Sequence, residues 1–173
     1  MRIAISGTHA TGKSTLVHEL AHRLDGFVAM PELYYQLEDE GHVFTDPPTF
    51  DDIDMIFERS VESVTTCRDT RVLFDRSPAD YLAYLAAIAP ETDLRARVLV
   101  ARDALAFINL VVFVPIEQPD RLSVTESPRL RRRVDHTLRE MLVEQSWGFD
   151  LPVIEVRGSP EERADQVLSC LPS

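Results

Sequence analysis

Positive charge is scarce in this sequence: 18 lysines and arginines stand against 29 aspartates and glutamates, a net charge of −11 with a pI near 4.8. Such a surface repels phosphate backbones, which argues against general nucleic-acid binding. Cysteine is nearly absent. Cys67 and Cys170 lie far apart without the spacing of a metal site. Both fall in stretches that read as helix, where small buried thiols are expected, and a disulfide scaffold is disfavoured. No apolar run approaches a membrane span, and the short run before Gly7 falls below the length of a signal peptide. Repeats, low-complexity tracts and interdomain linkers are also missing. The expectation is a cytoplasmic protein, monomer or homodimer, with neither nucleic-acid nor membrane partners. A chain of 173 residues suffices for one well-filled domain and not comfortably for two, so 1–173 reads as a single unit.

Against these absences stands one dense motif. Gly7-x-x-x-x-Gly12-Lys13-Ser14 matches the phosphate-binding loop pattern in full. Ile3-Ala4-Ile5 before it reads as a buried strand, and Leu16, Val17, Leu20 and Leu24 after it keep helical spacing. Glycines let the backbone curl its N–H groups inward onto an anion, and the positive end of the following helix adds to that field. The residues Gly7, Thr8, His9, Ala10, Thr11, Gly12, Lys13, Ser14 and Thr15 thus form a candidate triphosphate site. In it Lys13 bridges the terminal phosphates, Ser14 ligates Mg²⁺, and the His9 and Thr11 side chains are spectators.

Strand and helix signals alternate along the rest of the chain. The first helix runs from Lys13 to Leu24. Phe27–Met30 is a second strand, stopped by Pro31, and Leu33–Glu40 a short helix. The stretch from Gly41 to Pro48 is irregular and carries adjacent prolines. Helix follows over Asp51–Asp69, strand over Arg71–Asp75, and helices over Pro78–Ile88 and Thr92–Phe107. Leu110–Val114 is a strand apolar on both faces. Helix is expected again over Pro128–Trp147, with Leu130, Val134, Leu138 and Met141 as its core stripe. Pro152–Val156 is the last strand and Pro160–Leu171 the last helix. Five strands alternating with helices give a three-layer α/β fold with a mostly parallel sheet.

Three groups beyond the loop carry chemistry. Asp75, at the end of the third strand, suits a metal ligand, and Ser77 reads as the cap of the helix begun by Pro78. Glu32, just past the second strand, is a candidate general base for an attacking hydroxyl or a holder of the metal, with Tyr35 and Arg76 beside the acceptor. Arg121, Arg129, Arg131, Arg132 and Arg133 form the one strongly basic stretch. A helical wheel turns Arg129, Arg132 and Arg133 away from the core stripe and puts Arg131 on its shoulder. Guanidinium groups bind phosphoryl oxygens bidentately, so part of this cluster reads as a clamp on phosphate, with Arg131 in a catalytic role and Arg121 and Arg129 on nucleotide. The other reading is a solvated face paired with Asp135 and Glu140. Arg157, after the last strand, flanks a nucleotide or simply occupies a turn. Trp147 and Phe149 read as packing residues.

The run Ile5–Leu16, Pro31-Glu32, and Asp75-Arg76-Ser77-Pro78-Ala79-Asp80 resembles the small P-loop kinases. The nearest likeness is to the ATPase/kinase domains that include the nicotinamide-riboside kinase module of NAD regulators. Arg131-x-x-Val134-Asp135-x-x-Leu138 is similar to that family's helix after an arginine-bearing lid, here about 117–133. The resemblance implies a P-loop NTPase fold of nucleoside- or nucleotide-kinase type. It also implies an ATP- and Mg²⁺-dependent transfer of phosphate to a small molecule, a nucleoside-like hydroxyl foremost. A nucleoside-monophosphate kinase, or a nucleotide-hydrolysing switch acting on a protein, remains the alternative. One position departs from the pattern: Tyr35 stands where members often carry an arginine that binds an anionic partner.

Overall fold

The computed structural model describes residues 1–117 and 127–171. Its strands are β1 (Arg2–Ser6), β2 (Val28–Met30), β3 (Val72–Asp75), β4 (Leu110–Phe113) and β5 (Val153–Glu155). They form one parallel sheet in the order β2-β3-β1-β4-β5. The helices are α1 (Lys13–Arg23), α2 (Leu33–Asp39), α3 (Phe50–Thr66), α4 (Pro78–Ile88), α5 (Arg95–Leu105), α6 (Pro128–Leu138) and α7 (Pro160–Cys170). This is the α/β architecture that the strand–helix alternation predicts.

The central strand shows why the sheet is covered twice. Ile3, Ala4 and Ile5 are all fully buried, and alternate side chains leave a strand on opposite faces. Ile3 and Ile5 pack with Leu16, Val17 and Leu20 of α1 and with Ala164 and Val167 of α7. Ala4 faces the larger core, shared with residues of α3, α4, α5 and α6.

Register then delivers the chemistry to one edge. Ile5 pairs with Asp75 and Ser6 with Phe113, so β3 ends level with the start of the glycine loop. Met30 pairs with Phe74, which carries Glu32 just beyond the same edge. The chain leaves β1 toward β2 on one side and later crosses from β3 to β4 on the other. The loop therefore sits where strand order reverses, the crevice where such sheets bind ligands.

Helix bounds differ from the sequence reading, α3 ending at Thr66 rather than Asp69. The helix expected over Pro128–Trp147 is α-helical only to Leu138 and continues as a π-helical turn over Arg139–Val143, closed by Glu144 N–H donating to the Arg139 carbonyl at 3.0 Å. Within this wider turn the adjacent Met141 and Leu142 are both fully buried. The helix expected over Thr92–Phe107 spans only Arg95–Leu105. The cysteines also differ from expectation: Cys67 is half-buried at the end of α3, and Cys170 is exposed in the last turn of α7. Among the described residues no helix is long and apolar enough to cross a membrane.

Candidate active site

The glycine loop is fixed by close approach and by distant anchors. A Cβ on Gly7 would collide with the Val114 carbonyl oxygen, so the loop passes β4 too closely for any side chain. Gly12 adopts φ 87°, in the left-handed region that glycine enters without strain, and Ala10 accepts the same region at φ 56°. The Gly7 N–H donates to Asp80 Oδ1 at 2.8 Å, while the other oxygen of Asp80 accepts from the Ser77 N–H (2.9 Å) and hydroxyl (3.0 Å). Ser77 and Asp80 form a capping box at the start of α4, followed by Pro78 in the first turn. One fully buried carboxylate thus serves the helix cap and the loop at once. Gly7→Ala is expected to cost about 2 kcal/mol of stability and to weaken ATP binding, read by thermal melting and calorimetry.

Lys13 is the only lysine in the chain. It is 4% exposed, and its Nζ donates to the Thr8 carbonyl at 2.7 Å. Burial, and then repulsion from Arg76, lower its pKa to about 8, although Glu32, Asp80 and Asp75 pull the other way. His9 is lowered further, to about 4, by burial and by the cations Arg76, Arg131 and Lys13, so it is neutral near pH 7. Its N–H donates to Tyr84 Oη at 3.0 Å, and its Nδ1 lies 2.9 Å from the same oxygen, which leaves the phenol proton for the ring. Burial therefore neutralises the imidazole, while the loop's cations concentrate a positive field suited to an oligophosphate.

Across the edge, Asp75 is 7% exposed and Arg76 equally buried. Arg76 takes φ 83°, a left-handed backbone rare for a long side chain. Its Nε donates to Glu32 Oε1 at 2.5 Å, its Nη1 to the Gly7 carbonyl at 3.0 Å, and Asp80 Oδ1 is 3.8 Å away. Burial opposes its charge, but Glu32, Tyr84, Tyr81 and Asp80 together hold its pKa well above the ordinary arginine value. Burial pushes the Asp75 carboxyl up, against a hydrogen bond from Ser14. Asp75 Oδ1 is buried and has no hydrogen-bond partner among the described residues. Two hard oxygen donors, the Ser14 hydroxyl and Asp75, meet beside the phosphate loop with one lone-pair oxygen unspent. That is a donor set fitted to Mg²⁺, which takes one or two protein oxygens and fills the rest with phosphate and water.

The late arginines separate. Arg131 is buried, donating from Nε to the His9 carbonyl (3.0 Å) and from Nη2 to the Ala10 carbonyl (3.3 Å), so the first turn of α6 leans on the loop. Arg129, Arg132 and Arg133 are exposed. Arg121 and most of the expected lid lie outside the described residues. Asp135, read as a partner for the arginines, accepts from the Ile116 N–H at 2.8 Å. Arg157 is exposed and pairs with Glu155 at 2.6 Å, and Tyr35 is 61% exposed. Thr8 and Thr11 are buried under the loop, while Ser14 and Thr15 lie at its open side. The sequence reading gave no role to Asp80, Tyr84 or Arg163. Arg163 of α7 donates to the Thr11 carbonyl at 2.7 Å and to Glu117 at 2.9 Å, and Glu117 also accepts the Gly158 N–H at 2.6 Å. Asp80 has a visible signal in Ser77-x-x-Asp80, a capping box; the other two act across long sequence separations that leave none.

The chain matches, over residues 2–163, the model of a family described as AAA domain. No curated protein matches it by sequence. Among solved structures it is similar to the NadR protein in complex with NAD and AMP-PNP, at a TM-score of 0.71 and 17% identity over 97% of this chain and 48% of that one. It is also similar to deoxyadenosine kinase from M.mycoides with bound dATP (TM-score 0.66, 15% identity, 98% and 97% of the chains). A third likeness is to thymidylate kinase from Ehrlichia chaffeensis (TM-score 0.69, 12% identity, 98% and 97%). The chain spans about half the length of the NadR protein. At these identities the likeness establishes the fold, that of the P-loop nucleotide kinases.

Proposed function

The chain belongs to the AAA-domain family that it matches over residues 2–163, and from that premise we propose that it is an ATP-dependent kinase that phosphorylates a hydroxyl of a small, nucleoside-like molecule. The observation that carries the reading is the pairing of two carboxylates with different surroundings on one sheet edge. Asp75 sits against the Ser14 hydroxyl with an unspent oxygen, and Glu32 is held by Arg76 across the crevice. A carboxylate so placed activates a hydroxyl nucleophile, and the likeness in fold to nucleoside and nucleotide kinases favours an organic acceptor over water.

In this mechanism Gly7 to Thr15 hold the triphosphate by backbone N–H groups and the start of α1. Lys13 neutralises charge that spreads over the γ-phosphoryl oxygens, and Arg131 keeps the loop in shape from its outer side. Ser14 and Asp75 would hold Mg²⁺, which would supply positive charge to screen the phosphate oxygens during transfer. Glu32 accepts the hydroxyl proton of the acceptor as the new acceptor oxygen–phosphorus bond forms and the bond to the bridging β–γ oxygen breaks, leaving ADP. Arg76 fixes the angle at which Glu32 meets that hydroxyl. The main rival reading is a nucleotide-hydrolysing switch that acts on a protein.

Labelled ATP offered with a panel of nucleosides, nucleotides and vitamins distinguishes these. Transfer of the γ-phosphate to one acceptor class supports the kinase, and release to water alone across the panel supports the switch.

A further inference from the structure

Between the ends of β2 and β3 and helices α3 and α4 lies a narrow cleft of about 250 Å³ with its open mouth, lined among others by Met30, Leu33, Ser60, Phe74, Asp75 and Tyr81. Its closed interior has room for one small polar group rather than a whole acceptor. Two of its lining residues carry buried oxygens without a hydrogen-bond partner among the described residues: Asp75 Oδ1 and Tyr81 Oη. The metal reading accounts for the first. The phosphate machinery leaves the second unexplained. Tyr81 is 3% exposed, and burial pushes its phenol well above the usual value, so it presents an O–H donor. A buried hydroxyl without a partner is costly, and where it lines a cleft it is a group waiting for a ligand.

The charge of the cleft says which ligand. Arg76 is the one cation among its lining residues, and Glu32, the Gly7 carbonyl and Asp80 already engage it. A phosphate dianion seated in the cleft would face Asp75 and find the one lining guanidinium already engaged by Glu32, whereas a neutral group meets no such repulsion. Resting on the kinase reading above, we propose that the acceptor enters unphosphorylated, a nucleoside rather than a nucleotide. Its far edge seats a carbonyl, hydroxyl or ring nitrogen that accepts a hydrogen bond from Tyr81 Oη. Tyr81 then determines which acceptor is taken, on a site separate from the triphosphate.

The test compares the wild-type chain with Tyr81→Phe on ribo- and deoxyribonucleosides of the common bases and on their 5′-monophosphates. Nucleosides should be phosphorylated at least about a hundredfold more efficiently than monophosphates. Tyr81→Phe should raise the KM for the nucleoside about tenfold, as loss of one buried hydrogen bond does, with kcat, the KM for ATP and the melting temperature held or improved. Calorimetric titration with nucleoside alone should show the same tenfold loss without turnover. Preference for monophosphates, or an acceptor KM and Kd that ignore the hydroxyl, overturns the proposal while leaving the kinase standing. Nucleoside binding that depends on Tyr81 with no transfer to any acceptor overturns the kinase instead.

Discussion

Lys13→Met is expected to lower phosphoryl transfer by about a thousandfold or more, the scale set by removing one charge aimed at a developing phosphoryl transition state. Its melting temperature should stay level or rise. The two halves of this outcome come from the same burial. Lys13 is 4% exposed, and desolvation and Arg76 together pull its pKa down to about 8. Its charge is thus held against the folded state and serves an arriving anion. Methionine keeps most of the stem's packing and removes the charge. The Thr8 carbonyl that loses Nζ still accepts from the Thr11 hydroxyl at 3.1 Å, so no buried acceptor is orphaned. Because Lys13 is the sole lysine, an amine-directed reagent offers a second check: apart from the chain's first amino group it has one target, and ATP should protect it.

Substitution of Arg76 should produce the largest structural loss. It links Glu32, the Gly7 carbonyl and, less closely, Asp80, and breaking a buried pair leaves its partners uncompensated. Arg76→Ala is expected to cost about 3 kcal/mol, or roughly 6–12 °C of melting temperature for a chain of this size. Transfer should fall by about a hundredfold, since Glu32 loses the contact that orients it. Arg76→Gly separates the two causes. At φ 83° a Cβ is strained, so glycine should melt above alanine by about 1 kcal/mol while being equally inactive. Alanine and glycine variants of equal stability would mean that the left-handed backbone carries no strain.

Local pattern made part of this site readable. The four fixed positions of the glycine loop lie within eight residues, each carboxylate lies at or within two residues of the end of its own apolar strand, and register then brings Glu32 and Asp75 to the loop's edge. Arg131 was harder. A wheel drawn for one helix knows only the face that meets its own core, whereas the first turn of α6 meets the loop, more than a hundred residues away in the chain. Arg163 and Tyr84 reach the loop over comparable distances and carry no local signature. The π-helical turn escaped for a different reason: the apolar pattern across Met141 and Leu142 serves an α-helical turn equally well, so nothing in the residues marks the change.

The most direct measurement of the central claim is the simultaneous yield of ADP, free phosphate and phosphorylated acceptor from one reaction containing ATP, Mg²⁺ and a nucleoside. A kinase gives one phosphorylated nucleoside for each ADP, with little free phosphate, and loses both products together in Lys13→Met. Free phosphate equal to ADP, with the nucleoside unchanged across the panel, would contradict the account.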